Sequence, residues 1–414
     1  MTIKQPPCSA VLRLVLGLIS ASIAVWTVFQ APHKFLWKVA IVATEWGHLL
    51  ALVALLSLFP GWRRTRAGQL GGILGGSAAI LLLTPLLRAI FVARRLPQEI
   101  TTAFGPIIAP PRGGVGLRPA PLVAADLLHG VWVPHIPCEP RIYATRGKQD
   151  LTLDVYQPLA GIGGAPCVVV IHGGSWQHGT SQDLATLNAY LAAQGYVVAA
   201  VNYRLAPHHP FPAARDDILA ALAYLKAHAA GLGLDPQRLV LLGRSAGGQL
   251  ALLVAYTSHD PAIRGVISLY APPDLTYSYE HPSQYPAVLN MRQVLQAFLG
   301  GTPDRIPNVY AAASPMTFVG PTTPPTLLIH GGRDELVDVA ESERLARRLA
   351  HAGIRHLLLC LPWATHGGDF NFSGPSGQLS TYAIERFLAT VVADRSVSEH
   401  VHLQPWDALA VGTK

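Results

Sequence analysis

The chain has 414 residues, a mean hydropathy of +0.32 and only 13% charged residues. These values are unusual for a wholly soluble enzyme and point to membrane segments. Residues 1–122 hold 12 Lys and Arg against two acids, Glu45 and Glu99, a balance of +10, whereas residues 123–414 hold 19 against 22, a balance of −3. The basic excess therefore flanks apolar stretches, which argues against nucleic-acid binding. Cys8, Cys138, Cys167 and Cys360 show neither metal-ligand nor disulfide-framework spacing.

Three apolar stretches, Val11 to Phe29, Val39 to Phe59 and Leu70 to Leu87, open the chain. Each has the ~18–21 residues that cross a hydrocarbon core of ~30 Å, so three transmembrane helices are predicted within residues 1–95. Gly71-Gly72 and Gly75-Gly76 offer a small-residue face to another span. Glu45 and His48 stand three residues apart on one predicted helix face, and a polar pair that packs helices is expected of them. Orientation is nearly balanced by charge. The cluster Arg63, Arg64 and Arg66 favours an inside N-terminus, which places the large C-terminal domain on the non-cytoplasmic side. Residues 96–122 are rich in Pro and Gly and read as a linker.

From Arg141 the pattern becomes alternating strands and helices. Strands are predicted at 141–145, 151–156, 166–171, 196–201, 239–242, 263–269, 326–329 and 356–360. Helices are predicted at 183–194, 212–229, 339–352 and 378–392. This alternation defines an α/β class, a mostly parallel sheet with helices on both faces, spanning residues 123–396. Residues 274–323 form a long insertion of the kind that makes lids or substrate walls. Residues 397–414 read as a tail.

Chemistry gathers at loops after strands, where open α/β sheets place their ligands. The strand at 239–242 runs into Gly243-Arg244-Ser245-Ala246-Gly247-Gly248 and then a helix-forming stretch, the context of a nucleophile elbow. His172-Gly173-Gly174-Ser175-Trp176 comes after another strand, and its adjacent glycines leave N–H groups unobstructed to serve as oxyanion donors. Asp334 lies in Gly331-Gly332-Arg333-Asp334, and His366 lies in Ala364-Thr365-His366-Gly367-Gly368. Ser245, Asp334 and His366 thus occur in the chain order of the α/β-hydrolase triad. Asp338 is the reserve acid, although a helix cap is the better reading of it. Tyr203-Arg204 and Asp216-Asp217 are expected to pin the 203–212 loop. Trp176, Trp363 and Tyr277 are candidate substrate contacts, with Tyr279, Tyr285 and Phe298 as further lining residues of the insertion.

Residues 141–395 resemble the α/β-hydrolase superfamily, in particular the hormone-sensitive-lipase/acetyl-esterase group and the BD-FAE and kynurenine-formamidase-like families. The resemblance is carried by His172 to Trp176, Asn202 to Pro207, Phe211 to Asp217 and Gly243 to Gly248. It implies Ser245 as nucleophile, Asp334 as acid, His366 as base, and an oxyanion hole from the N–H groups of Gly173, Gly174 and Ala246. It also implies that no metal or organic cofactor is needed. Ser175 stands where the hormone-sensitive-lipase pattern has a third glycine, which is closer to the BD-FAE and formamidase relatives. The expectation is a membrane-anchored serine esterase acting on a small-molecule or lipid-like ester. Amide or formamide hydrolysis, acyl transfer, or a sensor that binds without turnover are the alternatives.

Overall fold

The computed structural model describes residues 8–107, 113–159, 161 and 163–393. The predicted tail at 397–414 and the Pro110-Pro111 pair of the linker lie outside them.

The chain opens with α1 (Cys8–Ala24), α2 (Lys34–Glu45), α3 (Gly47–Leu55) and α4 (Arg66–Phe104). Two helical segments, Cys8–Thr27 and Arg66–Phe104, are long and apolar enough to cross a membrane. The second predicted span is not one straight helix: α2 and the segment Gly47–Leu58 meet at 82°. Two features fix this bend. The Glu45 carboxylate turns away to Ser376, accepting from its N–H at 3.1 Å and its hydroxyl at 2.6 Å. Gly47 packs so tightly that a Cβ there would stand 2.3 Å from the Leu82 carbonyl oxygen. Glu45 and His48 therefore form no pair, because they sit in different helices. His48 Nε2–H donates instead to the carbonyl of Leu127 at 2.8 Å.

The glycines of α4 pack as a small-residue face should. A Cβ on Gly17 of α1 would lie 2.4 Å from the Gly71 carbonyl oxygen, and one on Gly75 would lie 2.7 Å from that of Ala54. α4 also runs further than expected. Residues 96–104, read as the start of a linker, are its last turns, and the helix continues through Pro85 and Pro97. The reason is tertiary: Leu96, Ile100 and Phe104 are buried in the core beneath the sheet, and that burial offsets the hydrogen bond each proline removes. One helix of about 58 Å is thus shared by the apolar bundle and the α/β domain. Beyond it the chain rejoins the domain through Val115 N–H to the Ala193 carbonyl at 3.1 Å.

The α/β domain begins with α5 (Ala124–His129) and the antiparallel pair β1 (Cys138–Arg146) and β2 (Gln149–Tyr156). Then come β3 (Ala165–Ile171), α6 (Ala185–Ala193), β4 (Val197–Val201), α7 (Ala213–Ala227), β5 (Leu234–Arg244) and α8 (Ala246–Thr257). β6 (Ile263–Leu269) leads into the insertion, with α9 (Leu275–Glu280), α10 (Met291–Leu299) and α11 (Pro307–Ala313). β7 (Thr326–Gly331), α12 (Val339–His351), β8 (His356–Leu361) and α13 (Pro375–Val391) close the domain. The eight strands form one sheet in the order β1-β2-β4-β3-β5-β6-β7-β8. β2 pairs antiparallel with β4, and every pairing from β4 to β8 is parallel. β3 and β4 are continuous apolar runs because helices cover both faces of the sheet, whereas β6 is interrupted by Arg264, Gly265 and Ser268 and β7 ends in His330 and Gly331. The two faces carry separate cores.

Candidate active site

The elbow sits where β5 gives way to α8. Ser245 has φ 53° and ψ −121°, a left-handed conformation that costs an L-residue roughly 1–3 kcal/mol. Two close approaches hold it there. A Cβ on Gly243 would meet the Gly247 carbonyl oxygen at 2.1 Å, and one on Gly247 would meet that of Ile171 at 2.2 Å. Only glycines let strand and helix approach this closely. The Ser245 N–H donates to the Leu269 carbonyl at the end of β6 at 2.8 Å.

Three strand ends bring the predicted triad together. His366 Nε2 lies 3.0 Å from Ser245 Oγ, and His366 Nδ1–H donates to Asp334 Oδ2 at 2.7 Å. The other Asp334 oxygen accepts the N–H groups of Leu336 and Val337, each at 2.8 Å. His330 Nε2 stands 3.2 Å from Asp334 Oδ2 and 3.0 Å from the Val337 carbonyl. Both neighbours are acceptors, so Nε2 carries the proton and Nδ1 accepts the Ser342 hydroxyl at 2.7 Å. Burial alone would raise the Asp334 carboxyl. The charge of His366 and the donors on His330 and His366 outweigh it and hold the group well below the usual carboxylate range. Asp338 takes the other role foreseen for it, accepting the Ala340 N–H at 2.9 Å as the N-cap of α12.

The base is backed by a buried polar group that no motif in the sequence announces. The Tyr270 ring packs 4.5 Å from that of His366, and its hydroxyl donates to Asp369 at 2.5 Å. Arg244 Nε donates to the other oxygen of Asp369, also at 2.5 Å.

The His172–Gly174 loop lies against the nucleophile. A Cβ on Gly173 would come within 2.9 Å of the Arg244 carbonyl oxygen and 3.4 Å of Ser245 Cβ. Tyr203 fixes the loop by donating its hydroxyl to the His172 carbonyl at 3.0 Å and by stacking on the His172 ring at 4.3 Å. Arg204 meets Asp217 through Nε and Nη2, each at 2.8 Å, which pins the adjacent loop as expected. Ala246 is the first residue of α8, so its N–H has no partner within the helix.

A cavity of about 440 Å³ opens at this point, within the range of small-ligand sites. Gly173, Gly174, Ser245, Tyr270 and His366 line one side, and Val288, Leu289, Val294 and Leu336 line the apolar side. The insertion contributes Val288, Leu289 and Val294 to the lining rather than the residues singled out from sequence. Trp176 is 2% exposed, stacks on Phe298 at 4.4 Å and donates its indole N–H to Gln249. Trp363 is fully buried and donates to Ser376 Oγ at 3.0 Å. Both are core, because so large a side chain beside a glycine turn fills space under the loop. Tyr277 lies outside the cavity, under the Arg344 guanidinium and against His281. Tyr285 borders a neighbouring depression, and Tyr279 packs on Tyr310. Lys34 and Trp37, by contrast, reach the cavity from α2. Among the described residues, no group of three His, Cys, Asp or Glu is arranged to hold a metal.

An elbow serine, a histidine and a carboxylate at three strand ends of a mostly parallel sheet define an α/β-hydrolase. Residues 153–349 match the BD-FAE family. Esterase LipC of Mycobacterium tuberculosis is 32% identical over 247 residues, covering 56% of this chain and 60% of its own length. The probable carboxylic ester hydrolase LipM of the same organism is 29% identical over 338 residues, 76% of this chain and 73% of its own. Esterase 2 of Thermogutta terrifontis, solved phosphonylated by sarin, superposes with a TM-score of 0.51 at 26% identity, covering 66% of this chain and 98% of its own. The chain has the α/β-hydrolase fold, and the proteins it is similar to are esterases and carboxylic ester hydrolases.

Proposed function

We propose that this protein is a membrane-anchored serine hydrolase that cleaves carboxylic esters through an acyl-enzyme. The observation that carries the reading is the unbroken line from Asp334 through His366 to Ser245, at 2.7 and 3.0 Å, on the wall of the cavity. Ser245 Oγ attacks the ester carbonyl carbon while His366 Nε2 takes the hydroxyl proton, and Asp334 orients the imidazole and stabilises its cation. The N–H groups of Gly173, Gly174 and Ala246 receive the negative oxygen of the tetrahedral intermediate, the last of them at the N-terminus of α8. Collapse breaks the bond to the alcohol, which leaves with the proton from His366. Water, deprotonated by the same nitrogen, then attacks the acyl-serine, and its collapse frees the acid and restores Ser245.

Membrane anchoring is supported by the two long apolar helices and by the exposed apolar side chains along them, among them Leu12, Ile19, Ile73, Ile80 and Phe91. Arg13 donates to the Pro60 carbonyl, so the arginine-rich 63–66 segment sits beside the start of α1, at the end of the bundle away from the α/β domain. By the positive-inside rule this cluster favours a catalytic domain on the non-cytoplasmic side, against the opposing charges of Lys34, Lys38, Arg94 and Arg95.

The test is hydrolysis of p-nitrophenyl esters from acetate to palmitate by the full chain and by Ser245→Ala. Turnover that vanishes in the variant supports the reading. Turnover that survives the substitution, or no turnover of any ester, overturns it.

A further inference from the structure

The connection between the first two apolar helices packs against both loops that carry the acid and the base. Arg333, next to Asp334, sends its guanidinium to the main-chain carbonyls of Trp26, at 3.0 Å, and Phe29. The Gln30 side-chain amide donates to the Asp334 carbonyl at 3.4 Å, and the Ala31 N–H donates to Glu335 Oε1 at 3.2 Å. Trp37 Nε1–H donates to the His366 carbonyl at 3.2 Å, and its ring meets that of Phe370 edge-on. Lys34 and Trp37 line the cavity, beside Phe370 of the α/β domain. One wall of the site is therefore built by the apolar N-terminal region rather than by the α/β domain.

α2 also lies in a telling direction. α3 runs along α4, joined by the close contacts of Gly47 and Gly75, so α2, at 82° to the next helix, crosses the axis of the bundle. A helix crossing the end of a membrane bundle lies along the bilayer surface. Ala40, Ile41, Ala43 and Glu45 on one side of α2 are buried. Outward stand Phe35, 69% exposed, and Val42. Val28 and Phe29 carry the exposed apolar surface back to α1, and half-exposed Phe370 brings it to the cavity itself. Scattered apolar residues are ordinary on a protein surface. These differ because they continue the exposed apolar flanks of the bundle and converge on the mouth of the cavity.

Building on the serine-hydrolase reading, we propose that the cavity opens onto the bilayer surface, that Val28, Phe29 and Phe35 are its membrane contact while Lys34 and Trp37 form one of its walls, and that the substrate is an amphipathic ester drawn from the bilayer with a hydrocarbon chain directed towards Val288, Leu289, Val294 and Leu336. The aqueous side of the same mouth carries Lys34, placed to face the polar part of such a molecule.

The experiment uses the full chain reconstituted in phosphatidylcholine vesicles and two esters of one chromophore: p-nitrophenyl butyrate in the water and p-nitrophenyl palmitate dissolved in the vesicles. Phe35→Asp places a charge on the membrane contact without touching the cavity. Turnover of the vesicle-borne ester falls at least tenfold, while turnover of the soluble ester stays within twofold of wild type. Phe29→Ser, on the other side of the connection, gives the same split, and Phe35→Leu retains both activities. Equal losses on the two esters in both variants, or no loss on either ester, overturn the proposal. A wild type with no Ser245-dependent turnover of either ester overturns the hydrolase reading itself, and the proposal with it.

Discussion

Trp37 donates its indole N–H to the main-chain carbonyl of His366 at 3.2 Å, across 329 residues of sequence. The bond couples a helix of the apolar region to the loop that carries the general base. Trp37→Phe keeps a ring against Phe370 and removes only the donor. Losing one such bond is worth about 0.5–1.5 kcal/mol, or roughly 2–10-fold in rate. The expected outcome is a fall in kcat of that size on a short soluble ester, with KM within twofold. An unchanged kcat, measured in the same vesicles, would show that the bond does not position His366.

Asp334 is held ionised by its neighbours and fixes the imidazole with Nδ1 protonated. Asp334→Asn presents an amide in place of the carboxylate and favours the other tautomer. A loss of about 10⁴ in kcat is expected, as for triads of this geometry. The N–H groups of Leu336 and Val337 still find an acceptor, but the amide turns its own N–H groups towards the protonated Nε2 of His330, so the melting temperature falls as well. Steady-state kinetics beside a melting curve separates the two effects.

Trp176 distinguishes a core side chain from a substrate contact. Trp176→Ala removes the stack on Phe298 and the bond to Gln249, and about 3–5 kcal/mol of stability should go with them. Val294→Ala trims the cavity wall itself and should shift the preferred acyl length while costing less stability. Denaturant unfolding and an acyl-chain profile of both variants give the comparison. A changed chain preference in a folded Trp176 variant would contradict the assignment.

What was legible in the sequence, and what was not, divides along physical lines. β3 and β4 announce themselves as unbroken apolar runs because they are buried on both faces, and Ser245, Asp334 and His366 stand out as a candidate triad because they follow β5, β7 and β8 in the order Ser, Asp, His. The bend at Glu45 could not be read in this way, since the partners at it, Ser376 and Leu82, lie in distant segments. Nor could the extension of α4, because Pro97 reads as a helix stop until Leu96, Ile100 and Phe104 are seen beneath the sheet. Trp176 and Trp363 looked like site residues because they adjoin the catalytic loops. Their size drives them into the core, and the partners of their indole N–H groups lie in distant segments. Lys34 and Trp37 gave no local signal at all, because their role arises from how two regions of the chain are packed together.

Glu335 links the acid loop to Ala31, and burial raises its carboxyl to about 7, above the 4.5 of the free group. Between those values the native state binds more protons than the unfolded chain, so this residue costs stability as pH rises through the window, and the cost is full above pH 7. Glu335→Gln keeps an acceptor for the Ala31 N–H and has no charge to bury. The variant should therefore gain on wild type from pH 5 to pH 8, by at most about 3 kcal/mol. Melting curves at the two pH values measure it, and a constant difference would contradict the assignment.

The most direct test of Ser245 as the nucleophile is to label the full-length protein with a fluorophosphonate and sequence the modified peptide by mass spectrometry. A single adduct on Ser245 is predicted, absent from Ser245→Ala and formed far more slowly in Asp334→Asn. An adduct on another residue, or a folded protein that the reagent leaves unmodified, would contradict it.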